Sequence, residues 1–578
     1  MDLFESYFQQ ERHYLRQLEQ LTAEEKPHLA DSLSGHDPDI ERLNEGFAAL
    51  MGRQRQKIDD AFPEITLPLL QRLQAQTVKG IPATSVVQFD GGTEFDFACT
   101  LPRGTTITTD SGVPFITSRA CAIEPLALVA RHLTHQLDTT RLTLTFQYTG
   151  KENHWPIKPL SLFLSPDDAV ADTLMLALCR HFRNAELHHN GQVWPAEPLG
   201  FAPLSGTDRL VLSPPIAVAG NWAPQMLMES LYLPHVHHFL TLALPTVMSS
   251  RLSMTDSQQF SITLIFDDML PLSESQLAEA FRLHCVPVVN LERKAQVTLP
   301  FAPETARYPL LLSAGQALLH VTRLALKDEP EEERGQRCTF APISQLSHFA
   351  RDTGEEQWFY ALDVTRDALG RLEYALVFYD SHARLMAHPP EREFTCHFVA
   401  FDSRLPALAA GDICHADENI PDGLQVKNLT PSSQSYPPVT DSHRHWALLS
   451  HYSASPFWLH SVDALRQLLR DYDFYPHLNR PTHRDIQRMT AAIVAIQSTP
   501  GDRIFRGQPY RCLHIELTLD DSAFASAGEQ FHFANALYQF LPFCLSQDMR
   551  LRMTVTGTSS GTVWCLSPSP LQGYRPIM

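Results

Sequence analysis

Residues 285–291 read CVPVVNL, preceded by FRLH and followed by ERKAQVTLPF, and the chain can be read only once this run is known as a catalytic thiol, a metal loop or a structural joint. A reactive thiolate needs a nearby cation or helix start to lower its pKa. Cys285 has neither Lys nor Arg beside it, and His284, its neighbour in sequence, would point to the opposite face of a strand. Pro287 has no N–H to give, which predicts an edge strand or a joint. Val288 and Val289 suit a buried extended run, and Asn290 can pair with its own backbone where the chain turns. The run therefore reads as a joint between a sheet and the next domain, with an inert Cys285.

Working outward, the 578 residues are too many for one core and should divide into several domains. Lys plus Arg number 46 against 65 Asp plus Glu, a net charge of −19 that repels phosphate backbones and anionic lipid. Nucleic acid is excluded as a natural partner. The start MDLFESYFQQERHY carries acids where a signal peptide needs bases, and no apolar run reaches the ~18 residues of a membrane span, so a cytoplasmic location is expected. The 10 cysteines stand singly with no C-x-x-C among them, which predicts reduced, mostly buried thiols. Pro outnumbers Gly, 42 to 25, as suits short elements joined by stiff turns better than glycine-rich phosphate loops.

Hydrophobic periodicity divides the chain further. Residues 1–80 form an N-terminal helical segment: Leu3/Phe4, Tyr7/Phe8, Tyr14/Leu15 and Leu18 recur at helical spacing, and HDPDIERL opens a second helix with Pro38 at its first position. The second stripe contains Ile40, Leu43, Phe47, Leu50, Met51, Ile58 and Phe62. Such stripes either cover this chain's own core or pack on another segment or chain, and Phe4, Phe8, Phe47 and Phe62 are the candidate partner-binding residues. From Ser85 the period becomes two, as in SVVQF and RLTLTFQY, giving strands with one wet face. LSLFLSPDDAVADTLMLALCRHF is a strand followed by a helix capped by Ser165. Strands follow at 260–266, 371–380 and 395–401, helices at 460–471 and 482–497, and strands again in RCLHIELTLD and DMRLRMTVTG. KDEPEEERG (327–335) and LTPSSQSYPPVTD (429–441) read as exposed linkers. The expected fold is multidomain α+β: the helical segment 1–80, then mostly antiparallel β-rich domains with interspersed helices at 81–290, 291–430 and 431–578.

Candidate chemistry is sparse. GTSSG at 557–561 matches G-x-S-x-G with Ser559 in the nucleophile's place, but its flanks read as a hairpin and no histidine follows it. His235, His237 and His238 in LPHVHHF, with His443 and His445 in SHRHW, lack a neighbouring third ligand at zinc-like spacing, so surface or half-buried histidines are expected. No phosphate-loop, dinucleotide, H-E-x-x-H or calcium-loop pattern occurs. No catalytic, cofactor-binding or metal-ligating residue is assigned, and a binding or structural protein is favoured over an enzyme. A hydrolytic or carbohydrate-active enzyme would need a pocket with two carboxylates about 5–10 Å apart, and an adaptor or chaperone would be stable and monomeric alone.

The chain resembles, in order and over nearly its whole length, the TssF (VasA, ImpG) family of type VI secretion baseplate subunits. The segments that carry the likeness are YFQQERHYLRQL, DPDIERLNEGFAALMGRQRQKIDDAFPEITLPLL, IPATSVVQF, LPRGTTITT, ESLYLPHVHHFLTLAL, LHCVPVVNL, SRLPALAAGD, HWALLSHYS and IFRGQPYRCLHIEL. It departs from the family pattern at Asp402 and Ser403, and at His237 and His238, where the pattern has aromatic residues. The resemblance implies a structural role, without cofactor, similar to the wedge proteins of contractile-phage baseplates. In it, two TssF copies would join one TssG, ring a VgrG hub with neighbouring TssF copies, and contact TssK and TssE below the contractile sheath. It implies recruitment to the inner face of the cytoplasmic membrane through the baseplate rather than insertion. Cys285, Pro287, Val288, Val289 and Asn290 correspond to its C-T-P-V-V-N-L motif.

Overall fold

A computed structural model describes residues 7–9, 11–17, 38–59, 66, 69–70, 78–92, 95–136, 139–151, 159–195, 200–203, 211–212, 222–243, 259–302, 305–313, 315–326, 338–343, 356–366, 372–380, 385, 393–417, 420–453, 461–505, 508–566 and 570–574. The chain forms two compact units, one of residues 1–72 with 440–450, the other of 73–439 with 451–578.

In the first unit the helix Pro38–Asp59 begins at Pro38, where a missing N–H costs nothing. Residues 11–17 are helical as well, and Arg12 pairs with Glu45 at 3.4 Å. Among the described side chains of the long helix, Ala48 and Gly52 are the buried ones. A side chain at Gly52 would meet the Phe8 backbone nitrogen at 3.2 Å, so this glycine permits a close backbone approach.

The second unit is built around a six-stranded antiparallel sheet in the order Ile413–Ala416, Thr106–Thr109, Pro114–Thr117, Cys285–Val289, Thr84–Asp90, Gln425–Asn428. Its two end strands touch, and Asn428 Oδ1 accepts from the amides of Gly411 at 2.8 Å and Ile413 at 2.9 Å. The sheet thus curls into a barrel, and every strand feeds one apolar core through Val87, Phe89, Ile107, Phe115, Val286, Val288, Ile413 and Val426. The strands at 413–428, grouped with 291–430 by linker position, pair with this sheet.

Beyond the barrel, Glu292–Pro300, Glu393–Asp402 and Gln316–Leu326 form one sheet, and Tyr308–Leu310, Leu372–Tyr379, Glu356–Arg366 and Cys338–Pro342 another. Both sheets contribute to an aromatic core that contains Phe301, Tyr308, Phe378 and Phe394. A five-stranded antiparallel sheet contains Thr140–Tyr148, whose alternate residues are buried as period two requires. The C-terminal sheet pairs Gln508–Leu519 with Ile493–Phe505 and, in parallel, with Met549–Gly557. Helices Asp168–Leu176 and Ala223–Tyr232 both pack on Ala527–Phe540.

Several expectations change. Thr84–Asp90, read with one wet face, is buried on both, because the barrel core covers one and Phe163 with Phe239 the other. The helix read as 482–497 ends at Ala491, and Ile493 begins a strand because its β-branched run pairs with Leu519 and its neighbours. The helix cap read at Ser165 lies at Asp167, whose Oδ1 accepts from the amides of Ala169 and Val170, while Ser165 Oγ accepts from the Asp167 amide. The 429–441 segment is a mostly buried strap rather than an exposed linker, with Pro431, Gln434 and Asp441 in solvent. Its prolines break the ladder, and hydroxyls complete it: Thr430 Oγ1 accepts from the Val86 amide, Ser433 Oγ from Thr84 and Ser435 Oγ from Ala83. The other expected linker, 327–335, lies outside the described residues.

Candidate functional site

The Cys285–Val289 strand sits inside the barrel sheet, so of the two readings of Pro287, an edge strand or a joint, the edge is overturned. Pro287 faces Val86, and its carbonyl accepts from the Ser118 amide at 2.9 Å. In an antiparallel strand the nitrogen and carbonyl of one residue face the same neighbour. The proline nitrogen therefore faces Ser118, just past the end of Pro114–Thr117, so the one reciprocal bond it forgoes falls where the ladder with that strand ends. Val286 and Val288 enter the barrel core; Cys285 packs on the outer face with Val86, Phe163 and Phe239. Burial pushes the Cys285 thiol well above its usual pKa, and Sγ donates to the Leu283 carbonyl at 3.3 Å. Such burial disfavours the reactive thiolate form. His284 lies before the strand in the left-handed region at φ 56°, and its Nε2 accepts from the Glu124 amide.

Asn290 does more than close a local turn. Its amide donates to the Ala83 carbonyl at 2.8 Å, its Nδ2 to the Pro114 carbonyl at 2.8 Å, and its Oδ1 accepts from the Asp402 amide at 3.1 Å. One buried side chain thereby ties the barrel to the last strand of the following sheet just where the chain passes between them.

The histidines divide: His443 is exposed and His235 half-buried, as expected, whereas His237, His238 and His445 are buried. His235 and His237 lie in a 3-10 turn, Pro234–His237, rather than in a strand, and His237 and His238 are buried. Glu229 on Ala223–Tyr232 accepts from the amides of Val211 and Leu212 and from Gln225 Nε2, with His237 Nε2 at 3.9 Å. Burial raises its pKa to about 7. His238 Nε2 is 3.2 Å from Asp172 Oδ1, His532 Nδ1 is 3.1 Å from the same oxygen, and His238 Nδ1 is 3.4 Å from Asp168 Oδ1. Burial opposes the Asp172 charge, but His532 and His238 outweigh it and hold this carboxyl well below its usual range. Reading for local ligand spacing missed Asp172 and His532, which are distant in sequence. The S-x-x-E pattern at Ser526 and Glu529 was the available sign of the helix that presents His532.

GTSSG joins Met549–Gly557 to the antiparallel strand Val563–Cys565, and the amides of Ser559 and Ser560 donate to Asp521 Oδ2. This is a strand–turn–strand setting for Ser559, as its flanks suggest.

Of the candidate partner-binding residues, Phe4 and Phe62 lie outside the described residues. Phe8 is half-buried, its backbone against Gly52. On the helix Pro38–Asp59, Leu43 is 73 % exposed, Phe47 51 %, Leu50 69 % and Met51 38 %. These four recur at i, i+4, i+7 and i+8 and make one solvent-facing apolar stripe.

No helix among the described residues is long and apolar enough to cross a membrane. Comparison with known proteins adds a family. The model of the family described as "Type VI secretion system, TssF" matches residues 1–569. A curated relative, the type VI secretion system component TssF1 of Pseudomonas aeruginosa, is 39 % identical over 87 residues, 14 % of each chain, so the match spans about a seventh of that relative's length. Two solved structures share the fold. A chain of the TssK-TssF-TssG baseplate subcomplex, seen by cryo-electron microscopy, aligns with a TM-score of 0.75 and 22 % identity over 93 % of this chain and 99 % of its own. A chain of the type VI baseplate complex aligns with a TM-score of 0.62 and 21 % identity over the full length of both.

Proposed function

We propose, from the premise that this chain belongs to the TssF family of the type VI secretion system, that it is a structural wedge component of the baseplate, assembling with TssG and TssK to support the contractile sheath. The observation that carries this reading is the bare stripe Leu43, Phe47, Leu50 and Met51. Burying such side chains contributes about 1.5–3 kcal/mol each, so a chain that leaves four of them wet has a surface suited to a partner. TssG is the occupant proposed for this stripe, with Phe47 at its centre and Phe4, Phe8 and Phe62 as further contacts. Contacts with TssE, a VgrG hub and neighbouring TssF copies, and recruitment beneath the cytoplasmic membrane, belong to the same reading. A scaffold without catalytic groups agrees with the buried thiol of Cys285 and the hairpin setting of Ser559.

Size-exclusion chromatography with light scattering tests it. Expressed alone, the chain should aggregate despite its net charge of −19, and co-expression with TssG should give a soluble complex. A monodisperse 65.2 kDa monomer that ignores TssG would refute the proposal.

A further inference from the structure

Three groups of the kind that bind transition metals converge from distant parts of the chain. Asp172 comes from the helix Asp168–Leu176, His238 from the residue after the turn Pro234–His237, and His532 from the helix Ala527–Phe540. Their ligand atoms all lie within 4.8 Å of one another. Asp172 and His238 are buried and His532 half-buried. We propose that Asp172, His238 and His532 form a binding site for a divalent transition ion of the zinc class, which clamps these three segments together.

The geometry supports this in two independent ways. Zinc holds imidazole nitrogen and carboxylate oxygen at about 2.0–2.2 Å, which sets tetrahedral ligand atoms about 3.3–3.5 Å apart. The separations of 3.2 Å for His238 Nε2 to Asp172 Oδ1 and 3.1 Å for His532 Nδ1 to Asp172 Oδ1 fall a few tenths short of that edge, a change within reach of small side-chain rotations. The second support is the far side of His238. Its Nδ1 is buried without a hydrogen bond and has the Asp168 carboxylate at 3.4 Å, a small rotation away from the arrangement in which a carboxylate fixes the ring and the tautomer of a ligating imidazole. Asp168 is thus a positioning residue rather than a ligand.

Two imidazoles and one carboxylate suit Zn²⁺ or Fe²⁺ and disfavour Mg²⁺ and Ca²⁺, which prefer oxygen ligands. Three protein ligands leave further coordination positions to water. Because Asp172 and His532 are 360 residues apart (532 − 172), the ion would close a very long loop, and its binding free energy would add to folding free energy. A second cluster, Asp110 with Cys414 and His415, is exposed at two of its three positions and lacks this enclosure.

The test uses the full chain with Zn²⁺, Fe²⁺ and Mg²⁺ as separate probes. Metal analysis of protein purified without chelators, or reloaded with Zn²⁺, should give about one ion per chain, and a chelator should lower the unfolding midpoint by several degrees in a way that Zn²⁺ reverses and Mg²⁺ does not. A larger stabilisation by Fe²⁺ than by Zn²⁺ would support the same site with iron as its ion. His532→Ala and the volume-preserving His238→Phe should remove both the bound ion and the response to chelator. Asp172→Asn, nearly isosteric, guards against variants that fail to fold and should lose the ion while keeping a cooperative transition. Asp168→Asn should weaken Zn²⁺ affinity roughly 10–100-fold without changing stoichiometry at saturation. Reloading with Co²⁺ should give a visible absorption band in the wild type and none in His238→Phe. A folded wild-type chain that takes up none of these ions and shows no chelator response would overturn the proposal, as would variants that retain the same metal content.

Discussion

The strand Cys285–Val289 and the helix Pro38–Asp59 are both rich in apolar residues, yet the first is buried at every position while the second leaves Leu43, Phe47, Leu50 and Met51 in solvent. The strand is covered on both faces by its own chain, by the barrel core on one side and Phe163 with Phe239 on the other. Among the helix's described side chains the buried ones are small, Ala48 and Gly52, while the large Leu43, Phe47, Leu50 and Met51 face outward. A protein needing only its own fold would do the reverse, since large side chains gain most from leaving water. One region shows how the chain holds itself together; the other is the surface proposed for a partner.

The sharpest way to break this comparison is to place the same charge in both regions. Val288→Asp puts a carboxylate in the barrel core with no partner and should cost about 3–5 kcal/mol, enough to abolish cooperative folding in a chain of ordinary stability. Phe47→Asp falls on a half-exposed position and should change thermal or denaturant stability by less than about 0.5 kcal/mol. Its effect should appear instead as loss of TssG in co-purification. Equal destabilisation by both, or normal TssG recovery with Phe47→Asp, would erase the distinction.

A smaller effect comes from Glu229, which shows how the covered region depends on its buried polar groups. Its folded pKa of about 7 stands above the ordinary carboxyl value of 4.5, so protonation favours the folded chain. The stability it contributes is complete below pH 4.5 and is lost as pH rises to about 7, by about 3 kcal/mol at about 1.36 kcal/mol per unit. The groups facing it are His237 Nε2, Gln225 Nε2 and the amides of Val211 and Leu212. Glu229→Gln should flatten the dependence of the urea midpoint on pH across that window. An unchanged slope would show that another group sets it.

Much of the frame was legible before any coordinates. Period-two alternation marked Thr140–Tyr148 and Pro38 marked the start of its helix, while the Cys285 thiol is held protonated by burial, against the pull of Arg282 and Arg119, and not by the lack of a cation that the sequence suggested. What escaped was the outcome of long-range pairing. Pro287 reads as an edge residue until Ser118 is known to lie past the end of the adjacent strand. Segment 429–441 reads as a linker until its hydroxyls are found completing the Thr84–Asp90 strand. His238 reads as superficial because Asp172 and His532 reach it from far along the chain. In each case the deciding partner is distant in sequence, where spacing carries no signal.

Asn290→Leu probes the seam of the covered region. Leucine is close in size but neither donates to Pro114 nor accepts from Asp402, which leaves a buried carbonyl and an amide unpaired. Each such group costs about 1–3 kcal/mol, partly recovered by local adjustment, so a net loss of about 2 kcal/mol is expected. Asn290→Asp should lose the Pro114 bond while keeping the acceptor for the Asp402 amide. A loss no larger than that of an exposed surface substitution would mean the staple is not needed at this junction.

Cys285→Ala should have the smallest effect of the series, because it removes one sulfur from the outer face while Val286 and Val288 still fill the barrel core. Its Sγ gives only a weak hydrogen bond to Leu283, and its loss leaves a void of roughly a methyl group, for about 1 kcal/mol. Assembly with TssG and secretion should be unchanged. The native thiol should resist alkylation in the folded chain, because burial raises its pKa and blocks access, whereas exposed Cys565 should react readily. Rapid labelling of native Cys285, together with lost secretion in Cys285→Ala, would restore a chemical role to CVPVVNL and undo the contrast between a region that is only packed and one that is kept open for a partner.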